Sequence, residues 1–385
     1  MRQVQIIGTG SFLPGAPITN AELECLVGPL PPDILDGIQV RQRHWMIDPA
    51  TGEHRVNNSE MAELACRQAL TLSGVDVSAV ELLVVSTSSP DYLLPPMSSL
   101  VQQRLGLTRC AVIDVRSGCA GAVEALDIAA MYLANGQYRT ALVVGSEAIS
   151  PLLAPVYLGA DIDRIRMRDR IPIYSFGDGA GAAVLQSSEA PAVDGDIVPA
   201  SPRGIRKSAF ACIGGDRNPG MQVIGAGTHA PIHAQLRAKR LVELSVDVIE
   251  SAKYTPHVIA EGLAAVLAGN QLASSEVDVC ILPEGNAGYL TSELRESGML
   301  TPQWLDIADR IQENLAVVGA TGSAAVMLAM DSAWKSGRLA PGDRVLLLAI
   351  ETSKWIYAGL LVEWTAPTPT ADAMSRAESP GPVNA

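Results

Sequence analysis

Cys119 stands where an apolar run, Ala111 to Val115, breaks into Arg116-Ser117-Gly118-Cys119-Ala120-Gly121 and reopens as a helical pattern. Val123, Leu126, Ala130 and Leu133 then recur at helical spacing and Gly136 supplies a stop, which puts the cysteine at or just before a helix N-terminus. Unpaired backbone N–H groups and the helix dipole at such an end favour thiolate over thiol. Gly118, Ala120 and Gly121 leave room for a substrate carbonyl to reach the sulfur. A lone cysteine is more often core filler. A strand-to-helix elbow between glycines favours a nucleophile instead.

Other chemistries find less support. Gly8-Thr9-Gly10 follows a strand, but Leu13 stands where a dinucleotide fingerprint needs its third glycine and Pro14 interrupts the helix. Phe176-Gly177-Asp178-Gly179-Ala180-Gly181 lacks a following Gly-Lys-Ser/Thr. Both segments read as close-packed turns. No Gly-x-Ser-x-Gly or His-Glu-x-x-His segment occurs, so serine hydrolase and zinc peptidase chemistry are unsupported. The six cysteines, Cys25, Cys66, Cys110, Cys119, Cys212 and Cys280, show neither metal-ligand nor disulfide spacing and read as reduced thiols. No metal site is expected.

At 385 residues and 48% hydrophobic, the chain can bury a large core. A net charge of −13 with little aromatic content makes nucleic acid a poor partner. No apolar run approaches the ~18 residues of a membrane span, and no signal peptide precedes the first strand, so a cytoplasmic protein without a membrane partner is expected. Two basic stretches, Arg164/Arg166/Arg168/Arg170 and Arg237/Lys239/Arg240, are either solvated helix faces or docking patches for an acidic partner.

The elements that must position Cys119 alternate between strand and helix. Val4 to Gly8, Leu82 to Thr87, Ala111 to Val115, Ala141 to Gly145 and Gly181 to Gln186 read as strands, with helices at Ser59 to Leu72 and Met97 to Leu105. The second half echoes this order. Val277 to Pro283, Val345 to Ile350 and Tyr357 to Trp364 are strands, with Gly322 to Ser336 a helix. That is a layered α/β fold of two similar halves. We divide it at 1–186 and 187–366, with 367–385 a disordered Pro/Ala/Ser/Thr-rich tail. The Gly/Pro/Ser-richer stretch from Glu189 to Gly227 is the expected junction, carrying loops over the active site.

Together these residues resemble the β-ketoacyl-acyl carrier protein synthase III enzymes of the thiolase superfamily over nearly the whole chain. The likeness rests on Ile6 to Pro14, Val84 to Pro95 with its Pro90-Asp91-Tyr92-Leu93-Leu94-Pro95 ending, Gly118 to Gly121, Ala141 to Glu147, and Phe176 to Leu185. It implies a thiolase-like fold of two βαβαβαββ halves in five layers and a homodimer. It further implies an acyl thioester on Cys119, and a donor acyl group on carrier-protein phosphopantetheine or coenzyme A, with no other cofactor. It places Leu94 in the substrate pocket and the oxyanion hole at the backbone N–H groups of Cys119 and of Thr352 or Ser353.

The departures bear on reaction type. The family's His-Gln-Ala-Asn motif here reads Glu284-Gly285-Asn286-Ala287, so Glu284 takes the histidine slot, and its Gly-Asn-Thr motif reads Gly319-Ala320-Thr321. The usual His and Asn stabilise an enolate as carbon dioxide leaves, and losing one such donor costs on the order of 2.7–4 kcal/mol. Acyl transfer to oxygen, nitrogen or sulfur demands less: Cys119 attacks, backbone N–H groups hold the oxyanion, and a base takes the acceptor's proton. Glu284 can be that base if its pocket lifts its pKa, or it can be a structural carboxylate. Asn286 substitutes as a donor only if the strand continues past Pro283. Asp33 and Gly37 stand where coenzyme A-binding members carry Trp and Arg, which favours a carrier-protein donor. Lys354, the last residue of the Thr352-Ser353-Lys354 loop that stands for the family's Gly-Gly-Gly, either attracts an anionic substrate or is an ordinary exposed lysine. His44, His54, His229, His233 and His257 match no motif position, and Met97, Met221 and Met299 are channel or core residues.

The expectation is therefore a transferase of secondary metabolism, of the kind used in antibiotic biosynthesis, that passes an acyl group from Cys119 to a small or carrier-bound acceptor. The alternatives are carbon–carbon bond formation with atypical acid/base residues and a non-catalytic partner subunit.

Overall fold

A computed structural model describes residues 2–188, 204–225, 227–236 and 242–378. Its two five-stranded sheets share one strand order. The first runs Gln3–Phe12, Gly179–Ser188, Thr140–Glu147, Leu82–Ser86, Ala111–Val115; the second runs Gly204–Cys212, Ile356–Glu363, Arg344–Glu351, Val279–Ile281, Ile311–Gln312. In both, the last three strands are parallel and the first two join antiparallel.

Why wholly apolar strands still specify a layer follows from the period of two. Leu82 and Val84 point inward and pack with Val123 and Leu126 of the helix Gly121–Ala134, and with Val326 and Met330 of the helix Ala325–Lys335. Leu83 and Val85 point outward onto Met61 and Ala65 of the helix Asn58–Ser73 and Val101 of the helix Met97–Leu105. In the second sheet Val345 and Leu347 face the shared central layer, while Leu346 and Leu348 face Ile259 and Leu263 of the helix Val248–Asn270. The result is a five-layer sandwich of helix, sheet, helix, sheet, helix, with both faces of each sheet covered, which is why the strands read as continuous hydrophobic runs.

Three readings change. Gly8 and Gly10 lie inside the first strand rather than in a turn, and a Cβ at Gly10 would come within 2.4 Å of the Ala65 carbonyl, so close helix–strand packing excludes larger residues there. The strand read as Val277 to Pro283 ends at Ile281, because Pro283 has no N–H for the ladder. Within the tail, Ala371–Glu378 forms a helix that packs on Asn58–Ser73, and Trp334 Nε1 donates to the Pro367 carbonyl at 3.0 Å; local composition gave no sign of this tertiary anchor. No helix among the described residues is long and apolar enough to cross a membrane.

Candidate active site

The strand Ala111–Val115 delivers the chain into a 3-10 turn, Gly118–Ala120, and the helix Gly121–Ala134 starts directly after it. Cys119 therefore sits on the elbow, half-buried at the wall of a cavity of about 420 Å³. Glu284, Ala320, Thr321 and Thr352 line the same cavity. Its remaining wall is largely apolar, with Ile38, Val246, Ile259, Leu290 and Leu294. Among the described residues, none that lines it is Lys, Arg or His.

The N–H groups of Cys119 and Ser353, two of those expected to form an oxyanion hole, share one internal acceptor. Glu351, the last residue of its strand and 1% exposed, accepts a hydrogen bond from the Cys119 N–H at 2.5 Å through Oε2, and from the Ser353 N–H at 2.6 Å through Oε1. Of the two loop donors named from sequence, Ser353 is the one that converges with Cys119, while Thr352 lies on the cavity wall. Gly118 makes the arrangement possible. Its φ is +53°, in the left-handed region, and a Cβ there would fall 1.7 Å from Glu351 Oε2. Sequence reasoning passed over Glu351; an acidic residue closing an otherwise apolar buried strand was the available signal.

Electrostatics reverse the expected thiolate. Burial pushes the Cys119 thiol well above the ordinary thiol range, and the carboxylates of Glu351, Glu284 and Glu147 together with a thiol hydrogen bond to Glu351 push it further. The helix terminus is outweighed because no cation stands among these causes while three acids do. Glu284 is pushed up to about 8, first by burial and then by Glu351, against a lowering hydrogen bond with the Ile350 backbone.

Several nominated residues lie elsewhere. Leu94 is 83% exposed and does not line the cavity, because it follows the strand end on an open loop beside Tyr92 and Leu93. Asn286 faces away: the chain turns at Gly285, and the Asn286 side chain caps the helix Ala287–Glu296 by accepting from the Tyr289 N–H at 2.9 Å. Lys354 donates to the Arg217 carbonyl rather than entering the pocket. Ala320 presents only a methyl, its N–H being held by the Ser175 carbonyl at 2.8 Å and its carbonyl by the Gly177 N–H at 3.1 Å. Thr321 beside it carries a buried hydroxyl with no hydrogen-bond partner among the described residues, a polar group that sequence reading did not nominate. Of the histidines, His44 contacts the Gly15 carbonyl, His229 and His233 are exposed, and His257 contacts Met299 and Glu261. Asp33 is exposed, whereas Gly37 lines the cavity. The loops expected over the site from Glu189 to Gly227 do not line it where described; Val246 and the helix Val248–Asn270 do. In the first basic stretch Arg164 and Arg166 pair with Asp161 and Asp169 and Arg170 donates to the Ile165 and Pro29 carbonyls, while the second stretch lies outside the described residues.

Comparison with known proteins agrees with this architecture. Residues 113–198 match the family described as 3-oxoacyl-[acyl-carrier-protein (ACP)] synthase III, and residues 267–364 match its C-terminal domain. The solved structure of AbyA1, a tetronic acid condensing enzyme, is 28% identical with a TM-score of 0.75, covering 93% of this chain and 99% of that one. The priming β-ketosynthase of the R1128 polyketide pathway is 23% identical (TM-score 0.75, 96% and 98% covered). The synthase III of Pseudomonas aeruginosa PAO1 is 21% identical (TM-score 0.75, 96% and 100% covered). Two sheets in one repeated order, with a cysteine elbow between them, define a thiolase-like condensing-enzyme fold. Two stretches of the chain, residues 113–198 and 267–364, are thus similar to the 3-oxoacyl-[acyl-carrier-protein] synthase III family.

Proposed function

We propose that this protein is a non-decarboxylating acyltransferase: Cys119 takes a neutral acyl group from a thioester and passes it to an acceptor whose proton Glu284 removes. The observation that carries this reading is the polar set of the site, a thiol with Glu284, Glu351 and Glu147 around it and, among the described residues of the cavity wall, no imidazole, side-chain amide or cation. A malonyl carboxylate would approach the acids Glu351 and Glu147, and the enolate left by decarboxylation would find neither the imidazole nor the amide of the usual set in the Glu284 and Ala320 slots. A neutral acyl group meets neither obstacle. The family's description points to acyl groups carried on an acyl carrier protein, and exposed Asp33 offers nothing to coenzyme A phosphates, which favours a carrier-protein donor.

A second reading draws on AbyA1, whose title calls it a tetronic acid condensing enzyme. A tetronic acid ring contains both a carbon–carbon and a carbon–oxygen bond to acyl carbons, and an acidic β-dicarbonyl carbon can serve as acceptor without decarboxylation. Glu284 would then deprotonate carbon rather than a heteroatom. The tests are intact mass after incubation with a panel of acyl thioesters, and carbon dioxide release from malonyl-carrier protein. A single acyl mass on Cys119 and little carbon dioxide are expected. Rapid decarboxylation would restore ordinary condensation, and absence of any adduct on folded protein would favour a non-catalytic subunit. Offering the acyl-enzyme alcohols, amines, thiols and β-ketothioesters then separates the two transfer readings by product mass.

A further inference from the structure

Cys119 must lose its proton to react, and its surroundings oppose a free thiolate. Loss of the proton to solvent would add one negative charge to a site that already holds Glu351, Glu284 and Glu147. Transfer within a hydrogen-bonded pair adds none. The carboxylate set directly beside Cys119 is that of Glu351, which accepts from the Cys119 N–H at 2.5 Å and from the Ser353 N–H at 2.6 Å. Glu284 faces it, Glu147 approaches the thiol from the first sheet, and Lys354 is engaged by the Arg217 carbonyl. Among the described residues no Lys, Arg or His pairs with Glu351.

Building on the acyl-enzyme reading above, we propose that Glu351 is the proton acceptor of Cys119 in the acylation step, and that taking the proton releases its side chain from the oxyanion hole. The S–H proton passes to a Glu351 oxygen. The neutral acid then holds the two N–H groups less strongly than the carboxylate did, because hydrogen bonds to an ionised acceptor are about twice as strong as neutral ones. The thioester carbonyl takes its place, the new S–C bond forms, and the donor's C–S bond breaks. The departing thiolate recovers the proton from Glu351, and the carboxylate is regenerated. Every proton and electron pair is accounted for without a further reactant.

The test compares wild type, Glu351→Gln and Glu351→Asp in two reactions at Cys119: alkylation by iodoacetamide, which needs no oxyanion hole, and acylation by acetyl and octanoyl N-acetylcysteamine thioesters, both followed by intact mass. For Glu351→Gln, alkylation at about pH 10, where hydroxide forms the thiolate without a protein base, should proceed at least as fast as in wild type, since one negative charge fewer faces the thiol, which also shows that the elbow is folded. Its acylation at pH 7 should fall by at least ~100-fold and then climb about tenfold per pH unit, because only thiolate formed beforehand reacts. Glu351→Asp should recover part of the rate. A Gln variant acylated as fast as wild type, or faster, would overturn the proposal and leave Glu351 as an obstruction of the hole. A wild type that is alkylated but takes no acyl group from any thioester would defeat the acyl-enzyme reading and this proposal together, whereas normal wild-type acylation with an unimpaired Gln variant would defeat this proposal alone.

Discussion

Gly118-Cys119-Ala120 in one half and Gly322-Ser323-Ala324 in the other are the same backbone device, and the molecule uses them for opposite ends. Each is a 3-10 turn feeding a central helix, with glycine φ of +53° and +51°. Each aims its second N–H at a glutamate that closes the long central strand of the opposite half: Cys119 at Glu351 at 2.5 Å, Ser323 at Glu147 at 3.2 Å. The complements differ. Glu147 also accepts from Thr87 Oγ1 at 3.2 Å, the Ser88 N–H at 3.0 Å and Ser89 Oγ, so its carboxylate is fixed in a closed network. Ser323 Oγ donates to the Gly118 carbonyl at 2.8 Å and meets Ser86 Oγ at 3.2 Å, which locks it in the core. Glu351 has two backbone donors and stands beside the Cys119 thiol, and Cys119 faces a cavity. A saturated network makes a strut, whereas an undersupplied carboxylate beside a thiol and open space can exchange a proton. Ser323, by gripping Gly118, holds the Cys119 elbow in place.

The comparison breaks most sharply at the two central residues. Cys119→Ala should abolish the acyl adduct on intact mass, while Ser323→Ala, and Cys110→Ala as a control, should keep it; loss of the adduct in Ser323→Ala with the fold intact would remove the distinction between the elbows. Next in size is Glu284→Gln. It should still accept the acyl group but pass it on at least ~100-fold more slowly. Wild-type transfer should rise as pH climbs through about 8, where Glu284 ionises, and that rise should vanish in the variant. Normal transfer in Glu284→Gln would make the residue structural and send the search for a base to the acceptor itself.

The paired glutamates should part in stability. Glu147→Gln turns an NH2 toward groups that donate, leaving buried donors unmatched at a cost of roughly 1–3 kcal/mol, and its melting temperature should fall further than that of Glu351→Gln. Equal losses would mean that the two carboxylates are equally structural. The smallest expected effect concerns pH and stability. Glu284 in the folded chain is raised to about 8 from 4.5, so the native state binds the extra proton between those values. Its stabilising contribution is complete below the lower value and is lost as pH rises through the upper one. Melting temperature should therefore drop more between pH 6 and pH 9 in wild type than in Glu284→Gln, and parallel curves would count against a buried Glu284.

How much of this was legible beforehand depended on range. Cys119 on its elbow, the apolar strands and the replacement of the usual histidine and asparagine by Glu284 and Ala320 are local patterns, readable because side-chain period and helix signals act over a few residues. Periodicity also marked the repeated order of elements that the two sheets share. Leu94, Asn286 and Lys354 were misplaced because each sits next to a turn whose direction neighbouring residues do not set: Gly285 swings Asn286 into a helix cap, and the Arg217 carbonyl draws Lys354 aside. What only the tertiary structure decided is the charge state of the site. Glu351 lies 232 residues from Cys119 along the chain, and Glu147 and Glu284 arrive from other strand ends. Electrostatic energy depends on distance and burial in space, so a helix end that predicts a thiolate locally is overruled by three acids that folding brings to it.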